Sequence, residues 1–260
     1  MNEYKNRETI NMEYKEYRDG DAFISQKRIY FADANPTKDI SLQQIMKIAS
    51  DIAVEDYRER GLSREFLVEK GYAILVSRNS FRIHKRPQEN QVIEIKTWEG
   101  KPEALQLKRA YEFRDIEGEL LITGNSTWLV VDLAKRRMIP TKMFTLRPNP
   151  EKEISVDCLD PAKITAPDGM ELFGKHKIVY SDLDTNGHTT NSRYGAFIED
   201  VIPEEFRSLN LKDIRLNYSK EAILGEELYI YGMISEDKKT LTIIGKIEDK
   251  EISFESQLFY

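Results

Sequence analysis

Asp184, Asn186 and His188 stand at alternate positions inside "SDLDTNGH", residues 181–188. A carboxylate, an amide and an imidazole spaced by two residues point the same way if the loop is extended. Such a set can move a proton near neutral pH and can hold a carbonyl whose oxygen gathers negative charge. Two plainer uses compete for the same residues. Asp182, Asp184, Asn186 and Gly187 match the opening of an EF-hand calcium loop. The twelfth position of that loop, which needs a bidentate glutamate, is Arg193, and a guanidinium cannot ligate a cation. Asp and Asn are also ordinary caps where a turn leads into a helix. Spacing alone leaves a capping turn and a catalytic loop both open.

The flanking residues supply the elements that must hold this loop. "KHKIVYSD" alternates like a strand, and helical periodicity starts near Asn191, with Tyr194, Phe197, Ile198 and Val201 at i, i+3, i+4 and i+7. A helix start presents unpaired N–H groups and positive partial charge, which an oxyanion could use. Pro203 ends that helix or opens a short one after it. "DIRLNYSK", "EELYIYGMI", "TLTIIGKI" and "EISFESQLFY" then read as strands.

The first half repeats this grammar. "FISQKRIYFADANP" runs as a strand into a turn, and Ser41 followed by Gln44 has the form of a capping box. Leu42, Ile45, Met46, Ala49, Ile52 and Ala53 form a helical stripe, and Gly61 is a natural stop. Strand-like runs follow at 71–84, "QVIEIKTW", "ALQLKRAYEF" and "ELLITGNSTWLVVDL". One helix beside a mostly antiparallel sheet, twice over, is an α+β architecture. The expected division is 20–147, a linker over 148–168, and 169–260. The first twenty or so residues look like a polar extension.

Composition narrows the class. A net charge of -6 argues against general nucleic-acid binding, which needs a basic surface. No apolar run has the length of a membrane span, and the charged N-terminus has no signal-peptide core. The single cysteine, Cys158, fits a reducing cytoplasm. No metal or other cofactor is expected.

"SDLDTNGHTTNSRYGAFIED" closely resembles the "SDLDxNxHxNNxxYxxWxxE" segment of plant and bacterial acyl-acyl-carrier-protein thioesterases. Ser181, Asp182, Leu183, Asp184, Asn186, His188, Asn191 and Tyr194 match, while Thr190, Phe197 and Asp200 depart. "GYAILVSRNSFRIHKRPQENQVIEIKTW", "STWLVVDLAKRRMIP" and "LNYSKEAILGEEL" are similar to further family segments in the same order, over about residues 22–258. The resemblance implies a tandem (double) hotdog, each half a curved sheet around a central helix. It also implies an acyl-binding N-terminal half, a catalytic C-terminal half, and release of a fatty acid from acyl-carrier protein. The loop "ADANPTKDIS" of the first half has no histidine and no Asp-x-Asn-x-His spacing, which agrees.

By position the resemblance makes Asp184, Asn186, His188 and Glu221 catalytic and puts Asn191 and Tyr194 near substrate. Ala222 stands where many plant members carry a cysteine, so the expected chemistry has no thiol nucleophile. The carbonyl oxygen is expected at backbone N–H groups near Asn191, helped by Asn186. Either Glu221 or Asp184, oriented by His188, then activates water; in a competing version Asp184 attacks directly to form an anhydride. An acyl-CoA thioesterase and a non-catalytic acyl-binding protein are the rival readings. The implied partner is an acidic acyl-carrier protein, and a homodimer is compatible with the family. Lys135, Arg136 and Arg137, Lys85 with Arg86, and Lys175 with Lys177 are basic clusters for docking it, or simply solvated charge. His84 and His176 are expected to be exposed and structural, Trp98 and Trp128 to be core. Ile45 and Met46 fit either core packing or an acyl tunnel.

Overall fold

The computed structural model describes residues 14–260. Four exposed residues, β1 (Glu16–Asp19), form a hairpin with β2 (Ala22–Arg28), so the end of the expected polar extension is a paired strand. The rest of that extension, residues 1–13, lies outside the described residues.

Helix α1 (Leu42–Glu59) follows β2 and a short loop. Ser41 caps it, its hydroxyl accepting from the Gln44 N–H at 3.2 Å, which is the forward arm of the expected capping box. Ile45, Met46, Ile48, Ala49, Ile52 and Ala53 are all buried, as the helical stripe requires. Gly61 (φ +78°) turns the chain into α2 (Arg64–Glu69), a six-residue helix too short to show periodicity in the sequence. Its signal is local: Ser63 accepts from the Phe66 N–H at 3.3 Å, and Glu65 sits in the first turn. Strands β3 (Tyr72–Ile83), β4 (Val92–Gly100), β5 (Gln106–Asp115) and β6 (Leu120–Asp132) complete the first half, with the two-residue β7 (Arg137–Met138) against β6.

The second half comprises β8 (Glu171–Lys177), α3 (Arg193–Val201), α4 (Glu204–Arg207), β9 (Asp213–Tyr218), β10 (Glu227–Ile234), β11 (Thr240–Ile247) and β12 (Glu251–Phe259). Pro203 occupies the cap of α4, the second of its two expected uses.

All strands join one sheet in the order β1-β2-β4-β5-β6-β3-β9-β12-β11-β10-β8, with every pairing antiparallel. The order β2-β4-β5-β6-β3 is mirrored by β8-β10-β11-β12-β9, so the halves are related by a pseudo-twofold axis at the β3–β9 junction. There Arg78–Arg82 pairs with Asp213–Asn217. The helices cross at Gly195, where a Cβ would meet the Gln43 N at 2.8 Å and its Cα at 2.9 Å. Lacking that Cβ, α3 lies backbone to backbone on the start of α1.

The linker runs over the outer face of the sheet: Asn217 Nδ2 donates to the Ala162 carbonyl (3.1 Å), Thr123 donates to the Asp157 carbonyl (2.5 Å), and Ile164 is buried. In the last turn of α1, Asp56 is wholly buried and takes Arg18 (2.7 Å), Arg60 (2.9 Å) and Arg109 (2.9 Å). Burial would push its carboxyl up, but the three guanidinium groups outweigh that and hold it below the usual carboxylate range.

Candidate active site

The loop between β8 and α3 is built on its own carboxylates. Asp182 closes a single 3-10 turn (Tyr180–Asp182) and has no exposed side-chain surface. One oxygen accepts from the Val179 N–H (3.0 Å) and pairs with His176 Nε2 (2.8 Å); the other takes Arg193 (2.8 Å). Burial alone would raise its carboxyl, and these partners together bring it below the ordinary range. Asp182 is therefore fully committed to the protein. His176, expected to be exposed, is instead part of this support and stacks on Phe197 with ring centroids 4.0 Å apart. Arg193 supplies the other arm and also bonds Gln43 of α1 at 3.1 Å.

Asp184 shapes the tip. Its Oδ1 accepts from the backbone N–H of Asn186 (2.7 Å) and of His188 (3.3 Å), and its Oδ2 accepts from Asn186 Nδ2 (3.1 Å). The Asp184 N–H returns to the His188 carbonyl at 2.8 Å, and Gly187 takes φ +80° to close the turn. His188 is then carried alongside the β9–β10 turn, where Thr189 N–H donates to the Ala222 carbonyl at 2.9 Å and His188 bridges Ile223. This register sets His188 Nδ1 2.9 Å from Glu221 Oε2. Both side chains keep solvent access, at 40% and 53% exposed, so a substrate can reach them.

The structure thus brings Asp184, Asn186, His188 and Glu221 into one linked set, with the histidine paired to Glu221 and Asp184 engaged by the loop itself. Ala222, between the exposed Glu221 and Ile223, is wholly buried, so a side chain at this position points away from the cluster. Tyr194 is also buried; its hydroxyl bonds Ser253 Oγ (3.1 Å) and accepts from the Ala222 N–H (3.4 Å). It buttresses the turn that carries Glu221. Asn191 is half-buried, and its carbonyl accepts from Tyr218 OH at 3.3 Å. Among the described residues, the backbone N–H groups of Asn191 and Ser192, just before α3, find no protein acceptor.

The other candidates fall away from this cluster. Cys158 lies in the linker, its thiol pushed up to about 12 by burial and then by Asp160. His84, just past the end of β3, bonds Thr123 of β6 at 3.0 Å. Ile45, Met46 and Trp128 are core, whereas Trp98 is half-buried and lines a cavity of about 810 Å³ with Arg60, Glu99 and Pro148. None of the four clustered residues lines that cavity. Of the three basic clusters, Lys175 and Lys177 lie on β8 either side of His176, and Lys175 is paired with Glu227 at 3.5 Å. Lys85 pairs with Glu119 (2.6 Å) and Lys135 with Asp132 (3.1 Å).

The first half contains the same loop with other side chains. Asn35 Oδ1 accepts from the N–H groups of Thr37 (3.0 Å) and Asp39 (3.1 Å), and Lys38 takes φ +68° where Gly187 stands in the second half. Ile40 N–H donates to the Pro87 carbonyl at 2.8 Å, as Thr189 does to Ala222. Asp39 thus occupies the place of His188, and Arg86 the place of Glu221.

Comparison with known proteins identifies the family and the fold. The profile of the acyl-ACP thioesterase N-terminal domain matches residues 20–143, and that of the acyl-ACP thioesterase C-terminal domain matches residues 167–256. A chloroplastic acyl-[acyl-carrier-protein] hydrolase of Cuphea viscosissima is 21% identical over 85% of this chain, and a chloroplastic palmitoyl-acyl carrier protein thioesterase of Arabidopsis thaliana is 24% identical over 78%. The chain spans about half the length of these relatives, 56% and 53% respectively. The crystal structure of an acyl-ACP thioesterase from Bacteroides thetaiotaomicron superposes with a TM-score of 0.83 at 18% identity, covering 92% of this chain and 98% of that one. A 12:0-ACP thioesterase from Umbellularia californica gives 0.74 at 17% identity, covering 94% and 98%. These superpositions establish the double-hotdog fold. With both family domains matched in order across its two halves, the chain belongs to the acyl-ACP thioesterase family.

Proposed function

We propose that this protein hydrolyses acyl-acyl-carrier-protein thioesters to free fatty acid, with water activated by His188. The observation that carries the reading is the 2.9 Å contact between His188 Nδ1 and Glu221. A carboxylate oxygen 2.9 Å from Nδ1 favours the imidazole tautomer that carries its proton there, which leaves a lone pair on Nε2. His188 Nε2 takes a proton from water as that water attacks the thioester carbon. The resulting oxyanion is met by the Asn186 amide and the N–H groups of Asn191 and Ser192. Collapse breaks the carbon–sulfur bond, and the proton held by His188 passes to the departing thiolate. Glu221 stabilises the imidazolium between these steps.

The Asp184 carboxylate already accepts three hydrogen bonds, which lowers its nucleophilicity and favours the water route over an anhydride. Heavy oxygen appearing in Asp184 after a single turnover in labelled water would establish the anhydride route instead. The thiol-free site and lone linker cysteine suit a reducing compartment.

Turnover on acyl-carrier-protein and acyl-CoA thioesters, over chains of eight to eighteen carbons, tests the reading. We expect acid release favouring the carrier protein and a loss of roughly 10²–10⁴-fold in kcat for His188→Ala. Preference for CoA would make it an acyl-CoA thioesterase. Acyl binding without turnover would make it a binding protein.

A further inference from the structure

Arg64, at the start of α2 in the first half, donates to Asn186 Oδ1 in the catalytic loop of the second. We infer that Arg64 is a positioning residue for the Asn186 amide, so that the reaction centre is completed from the N-terminal half. The inference rests on the thioesterase reading for its catalytic consequence, and on hydrogen-bond chemistry for the contact itself.

Asn186 is exposed, and an exposed amide is ordinarily free to rotate. Here its two ends face groups of opposite demand. Asp184 Oδ2, at 3.1 Å from Nδ2, can only accept when ionised, and a guanidinium can only donate. Turning the amide over would set two acceptors against each other at Asp184 and two donors at Arg64, so one orientation is selected. In that orientation one Nδ2 hydrogen is spent on Asp184 and the second is free for a substrate carbonyl. The charge of Arg64 on Oδ1 also draws electron density through the amide and strengthens that remaining donor.

The placement of Arg64 supports this use. Among the described residues no carboxylate lies within ion-pair distance of it, although Arg58, Arg60, Arg109 and Arg193 all have such partners. Ser63 caps α2, and the burial of Leu67 anchors it, which sets the base of the Arg64 side chain. The contact crosses from one hotdog to the other, so it exists only when the halves are packed.

The test uses the full chain with Arg64→Met, Arg64→Lys, Asn186→Ala and the double variant Arg64→Met/Asn186→Ala. For Arg64→Met we expect kcat to fall about tenfold with KM within about twofold of the wild type. Lysine should recover part of the loss, and the double variant should be no slower than Asn186→Ala alone. Independent losses that multiply in the double variant would overturn the inference. So would an unchanged kcat with a raised KM, which would make Arg64 a contact for the carrier arm.

A second readout does not depend on turnover. The side-chain amide signal of Asn186 in a nitrogen–proton spectrum, identified by its loss in Asn186→Ala, should shift and broaden in Arg64→Met and stay near its wild-type position in Arg64→Lys. A signal unmoved in Arg64→Met removes the contact. If wild type hydrolyses no acyl thioester, the thioesterase reading fails while this signal still decides the positioning.

Discussion

Asp182 and Asp184 lie two residues apart, and their surroundings give them different work. Asp182 is sealed against His176, Arg193 and the Val179 N–H, and its carboxyl is held below the usual range. Asp184 stays half-buried and organises the tip that presents Asn186 and His188. Because folding lowers the Asp182 value, its stabilisation is fully present above the unfolded carboxyl range, near pH 4. It is lost as pH falls through the lower folded value. Asp182→Asn should therefore cost about 2 kcal/mol at neutral pH, less than a sealed pair because His176 and Arg193 keep some water. Urea melts at pH 7 and at pH 3 check this: the gap between the two proteins should close in acid. A gap of equal size at both values would show that the carboxylate charge carries none of it.

The two central helices meet through a residue with no side chain. A methyl on Gly195 would press on the Gln43 N and Cα and the Leu42 C, all backbone atoms of α1 that cannot step aside singly. Gly195→Ala should cost about 2–3 kcal/mol by overpacking. Calorimetry should show a lower Tm, while Gly61→Ala, whose Cβ would meet open space, isolates the cost of a positive φ. An unchanged Tm in Gly195→Ala would mean that the helices do not cross as closely as described. The crossing also bears on the candidate site, since Arg193, two residues before Gly195, ties the 182–188 loop to α1 through Gln43.

At the scale of the molecule, a pseudo-twofold axis makes two equivalent loops that carry different side chains. Asn35, Thr37, Asp39 and Arg86 take the places of Asp184, Asn186, His188 and Glu221 on the same backbone path. An aspartate facing an arginine position offers no imidazole to take a proton. The α1 start beside that loop is also covered. There burial holds the Glu199 carboxyl above its usual range, although the Leu42 N–H and Arg86 act to lower it. Asp39→Ala should therefore leave kcat within about twofold of wild type, in contrast to the equivalent change at His188. A loss at Asp39 comparable to that at His188 would show that the first-half loop takes part in turnover.

Much of this was legible locally. The stripe on α1, the alternation of β4, the stop at Gly61 and the strand-to-helix position of the Asp184–His188 loop depend on short-range periodicity and turn chemistry, which sequence displays directly. Glu221 is marked only by the family resemblance, because a single glutamate in a polar turn carries no pattern of its own. Tertiary structure decided the partnerships: His188 with Glu221, His176 and Arg193 with Asp182, Tyr194 under Ala222, and Arg64 with Asn186. Each joins residues brought together by sheet register or by the packing of one half on the other. Neither register nor interhalf packing leaves a periodic trace along the chain. The sequence by itself determined which residue types could do the chemistry and which elements carry them. Loop and sheet register within the second half, and for Arg64 the packing of one half on the other, decided which of those residues meet.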